Sequence, residues 1–257
     1  MRIISSFNYW VLAIMARILS LDTSTEACSV ALKLNDEVVE DFRLLPRKHT
    51  QLLLPMVQEI LANAGVSLKQ LDAIAFANGP GSFTGLRIAT GVVQGLAFGA
   101  DLPVVPVTTL ETMAFTQYRE TYSRHIVSAL DARMGEVYWA AYHWNGDGFT
   151  CLSEPAVCAP DRVDLQHLPK ELQDADWVGV GSGWQLFDQF SPIIQSQLQQ
   201  TNADLLPRAG DIARLAELYW LQGVRVAAEE AIPVYLRDNV AFKKGEGPHG
   251  KSEQGNT

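Results

Sequence analysis

The chain has 257 residues, 47% of them hydrophobic and 19% charged, enough to build one large domain or two small ones around a real core. Acidic residues outnumber basic ones 29 to 20, for a formal net charge of −9. That balance argues against a surface that grips a polyanion unaided through clustered Lys and Arg, so any nucleic-acid substrate must be held with outside help. Three cysteines, Cys28, Cys151 and Cys158, are too few and too scattered for a disulfide framework and read as reduced thiols in a cytosol.

The N-terminal stretch MRIISSFNYWVLAIMA has a basic residue followed by an apolar run, as a weak signal peptide does, but Ser5, Ser6 and Asn8 interrupt it. Met15 is read as the start, and 1–14 as an over-extended leader. No later run is long and apolar enough to span a bilayer. RILSLDT (17–23) is apolar on consecutive positions, as a strand buried on both faces should be. Strands at 26–34 and 37–45 follow around an Asn35-Asp36 turn. Residues 49–65 read as a helix: Leu52, Leu53, Met56, Val57, Ile60, Leu61 and Ala64 share one broad face, Gly65 caps the end, and Pro55 kinks it or marks its first turn. Then come a strand (71–79), a helix (84–99), a strand (102–107) and a helix (109–118), giving the order βββαβαβα.

The second half opens the same way. HIVSALDARMGEVYWAAYHW (125–144) holds a strand ending in Asp131, a short turn and an alternating strand. Leu130-Asp131 with Glu136 repeats Leu21-Asp22 with Glu26, a weak internal repeat. A polar, irregular stretch follows, then a helix near 161–170, a strand and glycine turn at 176–184, a helix over 208–222, and a polar, glycine-rich tail at 243–257 read as disordered. The lobes are placed at 15–108 and 109–242.

The segment Ala77–Gly99, ANGPGSFTGLRIATGVVQGLAFG, poses the main question. A glycine turn entering a helix can cradle a phosphate. No Gly-Lys-Ser/Thr ends this one, and it contains no lysine, so it is no P-loop. Gly91, Gly95 and Gly99 stand four apart, and each glycine inside a helix costs about 0.8–1 kcal/mol relative to alanine. Two readings balance on the residues alone. Either this helix is buried between its own sheet and its neighbour, or it pairs with the 49–64 helix and presents an apolar patch to a second protein. Leu54 would then lie off the inner face and Arg87 on the rim.

The duplicated βββαβαβα layout, with a strand ending in Asp at the head of each copy, resembles the actin-like ATPase (ASKHA) fold: α/β, two lobes, mixed sheets. ILSLDTSTEACSVAL, HTQLLLPMVQEIL, GPGSFTGLRIATGVVQGLA, ALDARMGEVYWA and PVYLRDNVAFKK together are similar to the bacterial TsaB (YeaZ) family. That resemblance implies a cytoplasmic, non-catalytic subunit with no cofactor of its own. It implies action with the paralogue TsaD and the ATPase TsaE in moving threonylcarbamoyl from its adenylate to N6 of an anticodon-adjacent adenosine in tRNA. The tRNA is met only through the complex, no membrane is involved, and the chain homodimerises when alone. It also tips the helix pair toward a partner surface, with His49, Leu53, Leu54, Met56, Val57, Ile60, Arg87, Gly91, Gly95 and Gly99 as candidates.

The residue chemistry is consistent with a silent subunit. The catalytic paralogue resembles a metalloprotein with two His four apart on a helix. Here His49, His125, His143, His167 and His249 include no two within a helical turn, so no metal site of that kind is expected. The superfamily's first phosphate turn carries Asp-x-Gly, but Asp22-Thr23-Ser24-Thr25 has serine in the glycine's place. The second turn keeps Asp131 and Arg133, and Gly181 and Gly183 echo an adenosine-binding turn. These eight residues read as a degenerate nucleotide cleft in which the two Asp cap turns, with weak nucleotide binding left open. The alternatives are a small ATPase or kinase using Asp22 and Asp131, and a glycoprotease-like peptidase with a Ser/His/Asp set.

Overall fold

The computed structural model describes residues 15–44 and 46–237. The expectations for 1–14 and 243–257 lie outside the described residues. In the first half the chain forms β1 (Ile18–Asp22), β2 (Ala27–Leu34), β3 (Glu37–Leu44), α1 (His49–Ala64), β4 (Ala73–Ala77), α2 (Phe83–Ala100), β5 (Val104–Val107) and α3 (Thr109–Thr121). The second half gives β6 (His125–Arg133), β7 (Glu136–Trp144), β8 (Phe149–Cys158), α4 (Lys170–Gln173), β9 (Trp177–Val180), α5 (Pro192–Gln197), β10 (Leu198–Asn202) and α6 (Ala209–Leu221). The first sheet has the order β3-β2-β1-β4-β5, and the second, read from its far edge, β8-β7-β6-β9-β10. The two orders are the same. β1 runs antiparallel to β2 and parallel to β4, and β6 does likewise with β7 and β9. A repeat faint in sequence is complete in topology, and the actin-like two-lobed α/β layout follows from it.

Two strands were hidden in the sequence. The stretch after residue 144 expected to be irregular contains β8. Its Pro155 and its polar residues mask the alternation, and its register against β7 shifts twice. As an edge strand it can carry the proline, because one side needs no donor. β10, Leu-Gln-Gln-Thr-Asn, is also an edge strand and shows almost no apolar signal. The helix expected near 161–170 does not form. A 3-10 turn at Pro160–Arg162 and the four-residue α4 stand there instead, while Val163, Leu165 and Leu168 are buried in the second lobe's core. Their apolar spacing was real, but it serves an irregular segment.

Every residue of β1 is buried, and successive side chains enter different cores. Leu19 and Leu21 pack with Leu53 and Met56 of α1 and Val93 of α2. Ile18, on the opposite face, packs with Ile212 and Leu215 of α6. α6 therefore covers the first sheet, although its residues had been placed in the 109–242 lobe. α3 covers the second, with Leu110 and Met113 against Ile126 and Val178. The last helix of each half thus lies on the other half's sheet. Side by side between the lobes, the two helices are joined at one end by Arg119 on Asp211 (2.8 Å) and at the other by the Tyr219 hydroxyl donating to Glu111.

α1 continues through Pro55, which deprives the Gln51 carbonyl of its helical donor, and ends on Gly65 at φ 65.

Candidate functional site

The start of α2 is built against the turn that follows β1. Ser82 caps the helix by accepting from the Gly85 N–H (3.3 Å), and its own N–H donates to the Ser24 carbonyl (2.7 Å). Thr23 Oγ1 donates to the Gly85 carbonyl at 2.7 Å. A Cβ on Gly81 would lie 2.4 Å from the Ser24 carbonyl oxygen, and one on Gly85 only 1.9 Å from that of Thr23. These two glycines let backbone meet backbone. Asp22 is fully buried. Its Oδ1 accepts the Ser24 N–H (2.9 Å), its Oδ2 has no partner, and burial pushes its pKa up to about 6. Thr23 and Ser24 are buried as well, and Thr25 is half-buried. The turn is packed by the chain's own helix.

The second turn is closed by its own residues and stays open to solvent, with the Arg133 side chain 86% exposed. Asp131 Oδ1 accepts the Arg133 N–H (2.7 Å), and its Oδ2 pairs with the Arg133 guanidinium (2.9 Å). Both aspartates thus cap their turns. Ser182 Oγ accepts the Asp131 N–H at 3.1 Å. Gly181, at φ 95, and Gly183 seat the β9 turn on β6: added Cβ atoms would lie 2.5 Å from the Ala129 carbonyl oxygen and 2.8 Å from the Ala129 Cβ. Among the described residues no hydrogen bond links the Asp22 turn to the Asp131 turn.

The helix pair divides the remaining candidates. Leu53, Met56, Val57 and Ile60 of α1 face inward and belong to the first lobe's core. Their assignment to a partner surface is corrected: side chains already covered by their own sheet have no area to offer. His49 is buried too, with its ring Nε2 at 3.1 Å from the Ala27 carbonyl oxygen. Leu54 is 43% exposed. On α2 the stripe Gly91, Gly95, Gly99 faces out, and a Cβ at any of the three would meet nothing within 4 Å. Beside it Phe98 is 81% exposed. Between the stripe and the turn after α1 lies a shallow, mostly apolar depression of ≈ 420 Å³ lined by Ser67, Leu68, Lys69, Gly95, Leu96, Gly99 and Ala100. Arg87 lies over the Phe83 ring (3.8 Å to its centroid) and donates from Nε to the Tyr235 hydroxyl oxygen at 3.0 Å. Phe98 and Tyr235 were not among the interface candidates, although Phe98 belongs to the apolar surface of the helix. Phe98 had a signal in its place three residues beyond Gly95; Tyr235 had none, because only the fold brings it to α2.

A family model described as TsaD, tRNA N6-adenosine threonylcarbamoyltransferase, matches residues 43–244. The tRNA threonylcarbamoyladenosine biosynthesis protein TsaB of Escherichia coli (strain K12) is 46% identical over 230 residues, covering 89% of this chain and 97% of the relative. The chain belongs to the TsaB family. The protein of the same name from Haemophilus influenzae is 41% identical over 88% of this chain and 96% of its own. The solved structure of YeaZ from Pseudomonas aeruginosa superposes with a TM-score of 0.80 at 44% identity, over 86% of this chain and all of that one.

For a TsaB-family chain, other chemistries leave only partial constellations. His125 and His143 stack across β6 and β7, 4.6 Å between ring centroids, but among the described residues no cluster of three or more His, Cys, Asp or Glu could hold a metal. Ser153 Oγ lies 2.8 Å from His167 Nε2, yet Ser153 is buried and no described carboxylate hydrogen-bonds that His. No described helix is long and apolar enough to cross a membrane.

Proposed function

We propose that this chain is a non-catalytic subunit of tRNA threonylcarbamoyladenosine biosynthesis in the cytoplasm. It pairs with the TsaD paralogue and, with the ATPase TsaE, supports transfer of threonylcarbamoyl from threonylcarbamoyl-AMP to N6 of an adenosine beside the anticodon. Its relatives' name gives the pathway. The observation that carries the subunit role is the outward glycine stripe. Three glycines weaken α2 and pack against nothing in this chain, while a neighbouring helix could approach that bare backbone closely. Phe98, next to Gly99 on α2, and Leu54 on α1 expose apolar surface, and Arg87 stands one turn before Gly91. The same face serves a homodimer when the paralogue is absent. The acidic balance suits a subunit that meets tRNA only within the complex.

Asp22 and Asp131 are turn caps in this reading. Asp22 is walled in by the start of α2, so ATP turnover by the isolated chain is not expected.

The test is co-purification with the TsaD paralogue of the same organism, wild type beside Gly95→Leu. Because Gly95 opens onto empty space, the leucine variant should fold, and it should lose the complex. A folded Gly95→Leu chain that still co-purifies as well as wild type removes the stripe from the interface. No complex with wild type, together with ATP hydrolysis abolished by Asp22→Ala, would favour the enzyme reading instead.

A further inference from the structure

After α6 the chain returns to the first lobe. Val226 and Val104 exchange backbone hydrogen bonds (2.8 and 2.9 Å), and Gln94 of α2 donates to the Ala231 carbonyl at 3.0 Å. The Val234 N–H then donates to the Asn78 carbonyl at 2.7 Å, at the end of β4. The Val234 carbonyl sits so tightly against Gly79 that a Cβ there would lie 2.7 Å from its oxygen. The Tyr235 ring packs on Phe83, 5.3 Å between centroids, and its hydroxyl accepts from Arg87. At Arg237 the chain reaches the other lobe: its guanidinium donates to the Ala132 carbonyl (3.1 Å) and pairs with the Glu136 carboxylate. Arg237 is mostly covered, its side chain 18% exposed.

This short segment therefore grips the start of α2 in one lobe and the β6–β7 turn in the other. Its anchors stand where β4 and β6 end. Among the described residues the remaining inter-lobe hydrogen bonds gather on α3, α6 and their caps, which lie between the sheets. Lobes joined through a helix pair can hinge about it, and a strap fastened near the end of β4 in one lobe and of β6 in the other opposes that motion. We propose that Ala231–Arg237 is a cross-lobe tie that holds the two lobes at one mutual angle. The first-lobe side rests on backbone pairing and aromatic packing; among the described residues the second rests on one arginine, so Arg237 is where the tie is tested.

The tie is a property of the isolated chain, so its test needs no partner and stands apart from the subunit reading. Amide hydrogen exchange is followed in wild type and Arg237→Ala. Releasing a charge-assisted bond should raise exchange about tenfold, equivalent to about 1.4 kcal/mol, both at 131–137 in the second lobe and at 78–87 in the first. Amides of α1 should not change. A rise confined to 131–137, or no rise at all, overturns the proposal, because the arginine would then be a local contact only. If Arg237→Ala does not fold, Glu136→Gln removes the charge from the other side with little change of shape and is read by the same criterion.

Discussion

Thr23 and Gly85 meet with no room for a side chain. The Thr23 hydroxyl donates to the Gly85 carbonyl, and the Thr23 carbonyl lies where a Cβ of residue 85 would be, 1.9 Å away. Because the neighbour is backbone, it cannot swing aside. Gly85→Ala should therefore destabilise by about 3 kcal/mol or more, the upper range for overpacking. Gly91→Ala, on the same helix but facing open space, should stabilise by about 0.8–1 kcal/mol. Urea unfolding of the two variants gives both values, and equal effects would refute the division of the glycines into packed and open.

Asp22 links stability to pH. Its folded pKa of about 6 lies above the ordinary value of 3.8, because burial disfavours the carboxylate. Protonation thus favours the folded state. The group's contribution is fully present below about pH 4 and is lost as pH rises through 6. Asp22→Asn keeps the oxygen that accepts the Ser24 N–H and removes the buried charge. It should gain about 2–3 kcal/mol over wild type at pH 8, from about 1.4 kcal/mol per pKa unit, and next to nothing at pH 4. Thermal unfolding across this range checks it; a gain that does not depend on pH would mean the carboxylate is not the cause.

Asp211 fastens α6 to α3. Its buried carboxylate receives Thr116 Oγ1 (2.8 Å), Arg119 (2.8 Å) and Arg214 (3.3 Å). Both arginines keep a third or more of their side chains in water, so the loss on Asp211→Ala falls short of that for a wholly buried pair. A cost of about 2–3 kcal/mol is expected, and adding Arg119→Ala should cost little more. Strict additivity in the double-mutant cycle would show that the pair is uncoupled.

Leu53 and Leu54 are neighbours with opposite duties. Leu53→Ala should cost about 2–5 kcal/mol as a core truncation and weaken the complex only through unfolding. Leu54→Asp and Phe98→Asp should leave stability within about 0.5 kcal/mol while abolishing pairing with the paralogue. Unfolding midpoints and co-purification, measured on the same preparations, separate the cases. Stable aspartate variants that still pair would move the interface off this face.

How much of this was readable in advance differs between the lobes. In the first, β1 and β2 announce themselves as apolar runs because both faces of these strands are covered, α1 through its helical periodicity, and Gly65 marks the helix end. In the second, β8 and β10 carry little pattern. Edge strands need not alternate, and Pro155 argues against a strand unless its place at an edge is known.

The glycines of 77–99 show the same limit within a single segment. The sequence by itself determined the βββαβαβα order of the first half, the faint repeat that opens the second, the family, the absence of a P-loop and the four-residue spacing of Gly91, Gly95 and Gly99. Spacing says which residues share a helix face, but not what that face meets. Only the tertiary structure decided that Gly81 and Gly85 seat α2 on the Asp22 turn and that the later glycines look outward. It also decided that Leu53, Met56, Val57 and Ile60 are core, and that Tyr235 and Arg237 come from far along the chain to lie across both lobes. The physical reason is that burial and backbone approach depend on neighbours distant in sequence, and no local pattern encodes them.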